Sequence, residues 1–464
     1  MKYVSTRGNA PVLEFNDVLL AGLARDGGLY VPQEWPVLDA GTIAGFSGKP
    51  YAQVAKAVLR PFVEGQIAES DFSKMVDAAY ETFRHEAVAP LVQVAPNHFV
   101  LELFHGPTMA FKDVAMQLLA RLMDHVLAER NERATIIGAT SGDTGGAAIE
   151  AFRGRDNTDI FILFPDGKVS DVQRMQMTTV NDANVHPLAV DGNFDDCQAL
   201  VKSLFNDLNF RDEVRLSGVN SINWARIMAQ IVYYFTSAVA LGAPARKVSF
   251  TVPTGNFGDI FAGFVASKMG LPVERLVIAT NQNDILTRCL ETARYETGPV
   301  FATTSPSMDI QVSSNFERLL FEAHERSGDA VRRMMSGLSQ SGSFSIEKEA
   351  FGRIEADFSA GRCDEAATAS EIRDTLERSG YLLDPHSAVG LHVARQQARQ
   401  GTPMVTLSTA HPAKFPDAVK AACGVVPALP AWQGDLMSRK ERFSRIANDA
   451  EKLKAFIRQN ARHG

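Results

Sequence analysis

Residues 105–113 read HGPTMAFKD, with a single lysine, Lys112, among small, aromatic and turn-forming residues. Residues 101–104 before it read as the end of a buried strand. Residues 114–130 after it read as a helix, with Leu118, Leu119, Leu122, Met123, Val126 and Leu127 along one face. A lysine at such a junction loses part of its hydration, which favours the neutral amine. A neutral amine attacks carbonyls, and that is what a Schiff-base lysine must do. A surface lysine at a helix start fits the same stretch, so the rest of the chain has to decide.

Three further strand-to-helix loops carry groups that such an amine would use. The first, TSGDTGG at 140–146, follows the apolar run ATIIGA. Its small residues let backbone N–H groups converge at the positive end of the next helix, a cradle for a carboxylate or a phosphate. An ordinary turn capped by Asp143 or Thr144 fits equally well. The second loop, GNFGD at 255–259, follows VSFTVP and has the same character. It has neither the GxGxxG spacing nor the GxxxxGK[ST] pattern, so neither a dinucleotide site nor a P-loop is supported. A tight turn is its competing reading. The third, LSTAHPAKF at 407–415, places the hydroxyls of Ser408 and Thr409 at a strand end. A hydroxyl can bond an unprotonated ring nitrogen without fixing a proton on it, and it can also simply cap a turn.

A fourth segment, GVNSINWAR at 218–226, opens a long helix and gathers the donors of Asn220, Ser221, Asn223 and Arg226. Arg226 can grip a phosphate bidentately or pair with a surface carboxylate. An amine, a phosphate cradle, a second anion cradle and a hydroxyl for a ring nitrogen together suit a phosphorylated aldehyde cofactor. Pyridoxal 5'-phosphate fits that inventory.

These groups must be held by a scaffold, and the pattern of the chain predicts its class. Residues 1–95 read as mainly helical, with helix-period positions at 51–62 and 70–83. Within them DGGLYVP at 26–32 is a turn leading into an extended piece. From about residue 96, candidate strands at 100–104, 134–139, 160–164, 185–190, 248–252, 276–279 and 404–407 alternate with helices, notably 195–207, 223–241 and 257–269. Such alternation predicts an α/β fold with a parallel sheet covered on both faces, its ligands at the carboxyl ends of the strands. The stretch 435–463 is expected to be charged, helical and packed on the surface.

The chain has 464 residues, a length that predicts two or three domains. A hydrophobic fraction of 45% and a charged fraction of 22% suit a globular protein with a sizeable core. A net charge of −7 argues against nucleic-acid and membrane-surface partners, but not against a small anionic substrate held by local donors. The opening MKYVSTRGNAPVLEF lacks the apolar centre of a secretory signal, and no apolar run is long enough to span a bilayer. Cys197, Cys289, Cys363 and Cys423 form no CxxC pair, which predicts a reducing cytoplasm and no metal site.

The motifs also carry a resemblance. YVSTRG at 3–8, DGGLYVP, HGPTMAFKD, TSGDTG, NSINWARI at 220–227, PTGNFGD at 253–259, SPSMDIQVSSNFERLLFE at 305–322, DPHSAVG at 384–390 and STAHPAKF at 408–415 run nearly end to end. In these the chain resembles the threonine synthase family, fold-type-II pyridoxal-phosphate enzymes, in the long form of fungi and bacteria. The resemblance implies open, mostly parallel sheets flanked by helices in two lobes, 96–235 and 236–464, behind an N-terminal domain at 1–95.

It further implies that Lys112 forms the Schiff base and acts as general base at the substrate Cα. Gly255, Asn256, Phe257, Gly258 and Asp259 would hold the cofactor phosphate, and Thr409, ahead of Ser408, would face the ring nitrogen. Ser141, Gly142 and Thr144 would bind the substrate α-carboxylate. Asp143 would lie near the cofactor 3′-oxygen, where a carboxylate needs a proton or a donor partner. Arg226, Asn220 and Ser221 are the candidates for the substrate phosphate. The implied reaction converts O-phospho-L-homoserine and water to L-threonine and phosphate, in a cytoplasmic monomer or weak dimer. Two alternatives stay open: a phospho-lyase of the same type that releases 2-oxobutyrate, and a cofactor-binding protein without turnover.

Overall fold

The apolar runs at 248–252, 276–279 and 404–407 become neighbouring strands of one sheet, and the site is built on their carboxyl ends. The computed structural model describes residues 1–462. The sheet has six strands, in the order Phe358–Arg362, Val273–Thr280, Val248–Pro253, Met404–Ser408, His98–Glu102 and Leu91–Ala95. All pairings are parallel except that of the edge strand Leu91–Ala95. A second sheet has five parallel strands, Ser444–Ile446, Val185–Val190, Thr158–Pro165, Ala134–Ala139 and Leu216–Ser217. Every residue of Thr158–Pro165 is buried, as a parallel strand with helices on both faces must be.

The helices Lys112–Arg130, Trp224–Ala240 and Gly258–Lys268 fill the space between these layers, Trp224–Ala240 packing on both of the others. Fifteen residues of Trp224–Ala240 are buried, so it is a core helix and not an amphipathic surface one. The N-terminal region adds the helices Tyr51–Val63 and Glu69–Tyr80, which pack on Trp224–Ala240 and Lys112–Arg130. It also holds a small antiparallel sheet in which Lys2–Ser5 lies between Leu13–Glu14 and Tyr30–Pro32. The turn at 26–32 does lead into an extended piece, the strand Tyr30–Pro32.

Several expectations shift. The strand expected at 100–104 runs His98–Glu102, and Lys112 is itself the first residue of its helix. Phe358–Arg362 and Ser444–Ile446 are strands that periodicity did not single out, because both are short and only partly buried. The two sheets do not follow the expected division of the lobes into 96–235 and 236–464. His98–Glu102 pairs with Met404–Ser408 in the larger sheet, and Ser444–Ile446 returns to the smaller one. The C-terminal stretch holds the helix Ala450–Asn460 as well as that strand, and His463, the end of the expected segment, lies outside the described residues. Among the described residues no helix is long and apolar enough to cross a membrane.

Candidate active site

The loop before Lys112 is folded around Asp113. Its carboxylate accepts from the N–H and the hydroxyl of Thr108, both at 2.7 Å. Gly106 permits this closeness, since a Cβ there would stand 2.5 Å from the Asp113 Cβ. Met109 takes a left-handed φ of 59°, a strained setting for a side chain of that size. The loop is then tied to the end of strand Met404–Ser408: the Phe111 N–H donates to the Thr409 carbonyl at 2.8 Å, and the His411 N–H to the Met109 carbonyl at 3.1 Å. Lys112 and Thr409, distant in sequence, are thereby fixed side by side.

Lys112 is buried, with its amine 4.7 Å from the centre of the Phe111 ring. Burial lowers its pKa, as do the nearby cations Lys414 and Arg226, while Asp143 and Asp259 oppose the shift. These are the conditions for an amine that loses its proton readily. Among the described residues its one carboxylate contact is Asp143 Oδ2, at 3.5 Å.

Asp143 opens the helix Asp143–Phe152 and is buried. Burial by itself would raise its pKa, yet Lys414 and Lys112 hold the carboxyl well below the usual carboxylate range. Lys414 Nζ lies 2.9 Å from Asp143 Oδ1, and Gln173 Nε2 donates to that same oxygen at 2.9 Å. The donor partner that a carboxylate needs in this loop is therefore supplied. Gly142 sits at φ 139°, with the Gln173 amide where its Cβ would be. The N–H groups of Gly142 and Gly145 are taken by the Thr140 hydroxyl, both at 2.9 Å. Among the described residues, those of Ser141, Asp143 and Thr144 donate to no protein acceptor. Free donors at a helix start attract an anion.

The loop at 255–259 is arranged likewise. Phe257 adopts a left-handed φ of 65° as cap of Gly258–Lys268, and the N–H groups of Gly255, Asn256, Phe257 and Gly258 have no acceptor among the described residues. The loop is clamped from behind by Asn315, whose Nδ2 donates to the Asn256 carbonyl at 2.9 Å and to the Ser221 carbonyl at 3.2 Å. Gly255 passes so close to Ser307 that a Cβ would meet its carbonyl oxygen at 2.6 Å. Asp259 is buried and pushed up to about 6 by that burial.

Arg226 is buried in the first turn of Trp224–Ala240, where burial lowers it to about 10, still a cation at neutral pH. Its Nη1 donates to the Val219 carbonyl at 3.0 Å, whereas its buried Nε has no partner among the described residues. A buried charged donor left open costs stability unless something binds it. The structure thus gathers Lys112, Asp143, Asp259 and Arg226 about one centre. Asn220 and Asn256 are exposed at its edge, Ser221 is half-buried, and Ser408 is buried behind Thr409 against the Ser387 hydroxyl at 2.9 Å.

Sequence reasoning missed Lys414, Gln173 and Asn315. Lys414 had a signal, since it stands in the same STAHPAKF run that supplied Thr409. Asn315 had the same kind of signal, standing in the run at 305–322, whereas Gln173 had none beyond ordinary capping composition. Among the described residues no cluster of metal-ligating side chains occurs. A desolvated amine, two sets of open N–H donors, an open guanidinium and the hydroxyl-bearing Thr409 on the strand end tied to the Lys112 loop fit a phosphorylated aldehyde carrying an amino-acid substrate.

Residues 2–80 match the family model described as threonine synthase N terminus, 82–335 that of the pyridoxal-phosphate dependent enzymes, and 387–457 that of the threonine synthase C-terminal region. A threonine synthase of Pseudomonas aeruginosa is 54% identical over 100% of this chain and 99% of its own length. The crystal structure of a PLP-bound threonine synthase from Brucella melitensis superposes with a TM-score of 0.98 at 66% identity, covering 100% of both chains. That of yeast threonine synthase gives 0.95 at 40% identity, covering 99% of this chain and 98% of the other.

Proposed function

The chain belongs to the threonine synthase family of pyridoxal-phosphate-dependent enzymes, and we propose that the Lys112 site converts O-phospho-L-homoserine and water into L-threonine and inorganic phosphate. The observation that carries this reading is a buried Lys112 amine close to Asp143 and Asp259, each in a loop with N–H donors left open among the described residues, with the open Nε of Arg226 nearby.

Pyridoxal phosphate, when bound, supplies an electron sink for the charge that develops at the substrate Cα. Gly255, Asn256, Phe257, Gly258 and Asp259 hold its phosphate, and the Thr409 hydroxyl meets its ring nitrogen without giving up a proton. The open N–H groups of Ser141 and Thr144 hold the substrate carboxylate at the start of Asp143–Phe152, while Gly142, whose own N–H is spent on Thr140, shapes the loop instead of donating. Arg226, with Asn220 and Ser221 at the edge, holds the substrate phosphate until it leaves. Lys112 moves the Cα proton: as a neutral amine it takes one from Cα, and it returns one after water has added at Cβ; between these, a proton leaves Cβ as phosphate departs from Cγ, and one is delivered to Cγ. Burial suits it to this task, because an ammonium in that position could not accept a proton.

A cytoplasmic monomer or weak dimer, acting on a small molecule and without nucleic-acid or membrane partners, completes the proposal. Four free cysteines and a net charge of −7 support it.

An end-product assay tests the reaction. Purified chain loaded with pyridoxal phosphate is given O-phospho-L-homoserine, and phosphate, threonine and 2-oxobutyrate are quantified in one sample. Threonine equimolar with phosphate is expected. Phosphate accompanied by 2-oxobutyrate would make the chain a phospho-lyase, and no product would leave a binding protein.

A further inference from the structure

Lys414 ends the loop that carries Thr409, and its side chain is fully buried. Its ammonium has an acceptor for each of its three protons: Asp143 Oδ1 at 2.9 Å, the Thr108 carbonyl at 2.7 Å and Gln176 Oε1 at 3.0 Å. Lys112 is different. Its amine touches the same carboxylate only at Oδ2 and only at 3.5 Å. One aspartate stands between two buried lysines, bonded closely to Lys414 and only loosely to Lys112.

We propose that Lys414 is a positioning residue: by holding the Asp143 carboxylate in a short, saturated ion pair it keeps Lys112 out of one, leaving the Lys112 amine free to lose its proton and react. The proposal rests on the reading of Lys112 as the carbonyl-attacking amine. The charged groups facing Lys112 are Asp143 and Lys414, Arg226 from Trp224–Ala240 and Asp259 from Gly258–Lys268. The titratable groups facing Asp143 are Lys414, Lys112 and His386, with the Gln173 amide. Lys414 and Arg226 drive the proton off Lys112, and Asp143 and Asp259 hold it. Without Lys414, one cation is gone and the whole carboxylate falls to Lys112. Both changes act in the same direction, and Lys112 keeps its proton to higher pH.

The test reads the pH profile of Lys112 reactivity in the full-length chain freed of bound cofactor. Pyridoxal phosphate is added across a range of pH, its condensation with the amine releases water, and borohydride reduces the product to a stable adduct. Peptide mass mapping quantifies the adduct at Lys112. In Lys414→Gln the midpoint should rise by about one pH unit, which is roughly a tenfold loss of rate below the midpoint. In Asp143→Asn, which removes the holding carboxylate, the midpoint should fall. A profile unmoved by Lys414→Gln, or moved the same way by both variants, overturns the proposal. If Lys414→Gln does not fold, Asp143→Asn decides alone, and a midpoint that fails to fall overturns it. A parental chain that carries no adduct at Lys112 overturns the reading of Lys112 and this inference with it. That outcome is distinct from a normal adduct with an unmoved profile.

Discussion

The guanidinium of Arg318 is tied to the Tyr30 carbonyl oxygen by two hydrogen bonds, from Nε at 3.1 Å and Nη2 at 3.0 Å. Nη2 also donates to the Ile222 carbonyl at 2.6 Å, and Nη1 bonds the Asn315 side chain. Asn315 in turn clamps the loop at 255–259. One buried cation thus joins the N-terminal sheet to two loops of the active site.

Replacing Arg318 by Met should therefore unfasten both. The carbonyls of Tyr30 and Ile222 would be left buried and unpaired, a loss of about 3–5 kcal/mol. Denaturant unfolding of the cofactor-free chain measures this. Arg318→Lys should recover only part of it, because one ammonium cannot reproduce the planar fork.

Lys112→Ala should abolish turnover and the absorbance that pyridoxal phosphate acquires on joining a lysine. Absorbance spectra and the end-product assay check this together. Normal turnover in the variant would refute the assignment of Lys112.

Arg226→Ala should raise KM for O-phospho-L-homoserine by about tenfold to a hundredfold, the cost of one charge-assisted phosphate contact, with less effect on cofactor affinity. Steady-state kinetics, with inorganic phosphate as competitor, separate the two. Unchanged affinity for substrate and for phosphate would remove Arg226 from the site.

Asp113 predicts a pH dependence of stability. Burial pushes its carboxyl from 3.8 up to about 6, against the two bonds from Thr108. The folded chain thus holds that proton more tightly than the unfolded one. The stability it contributes is full below about pH 4 and is lost as pH rises through about 6, a change of at most about 3 kcal/mol. Asp113→Asn should flatten the curve over that window. Asp259, also pushed up to about 6 by burial, should keep its own share of the slope. Urea unfolding at a series of pH values on cofactor-free protein reads both.

The inner strands of the two sheets were legible because each is a short apolar run between turn residues, and burial on both faces demands such runs, whereas the edge strands carry no such run and were not. Lys112 and the 255–259 loop were legible for a related reason, since small residues at a strand end leave room for a ligand and little else. The ion pair of Lys414 with Asp143 was not. Nothing in the spacing of two residues so far apart says that their loops will meet, and a lysine in an apolar run looks the same whether it reaches solvent or a buried carboxylate. The sheet membership of His98–Glu102 was hidden in the same way, because periodicity marks a strand but not its neighbours.

That membership bears on how the chain comes to be folded at all. Met404–Ser408 lies between His98–Glu102 and Val248–Pro253. A ribosome delivers the two outer strands long before the one that separates them. The nascent chain must hold a gap in its largest sheet, with two unsatisfied strand edges, until nearly all of it has been made. Contacts of such long range slow assembly, and open edges invite pairing with the wrong chain. Folding yield should accordingly depend on shielding during synthesis, and chains released early should aggregate rather than wait.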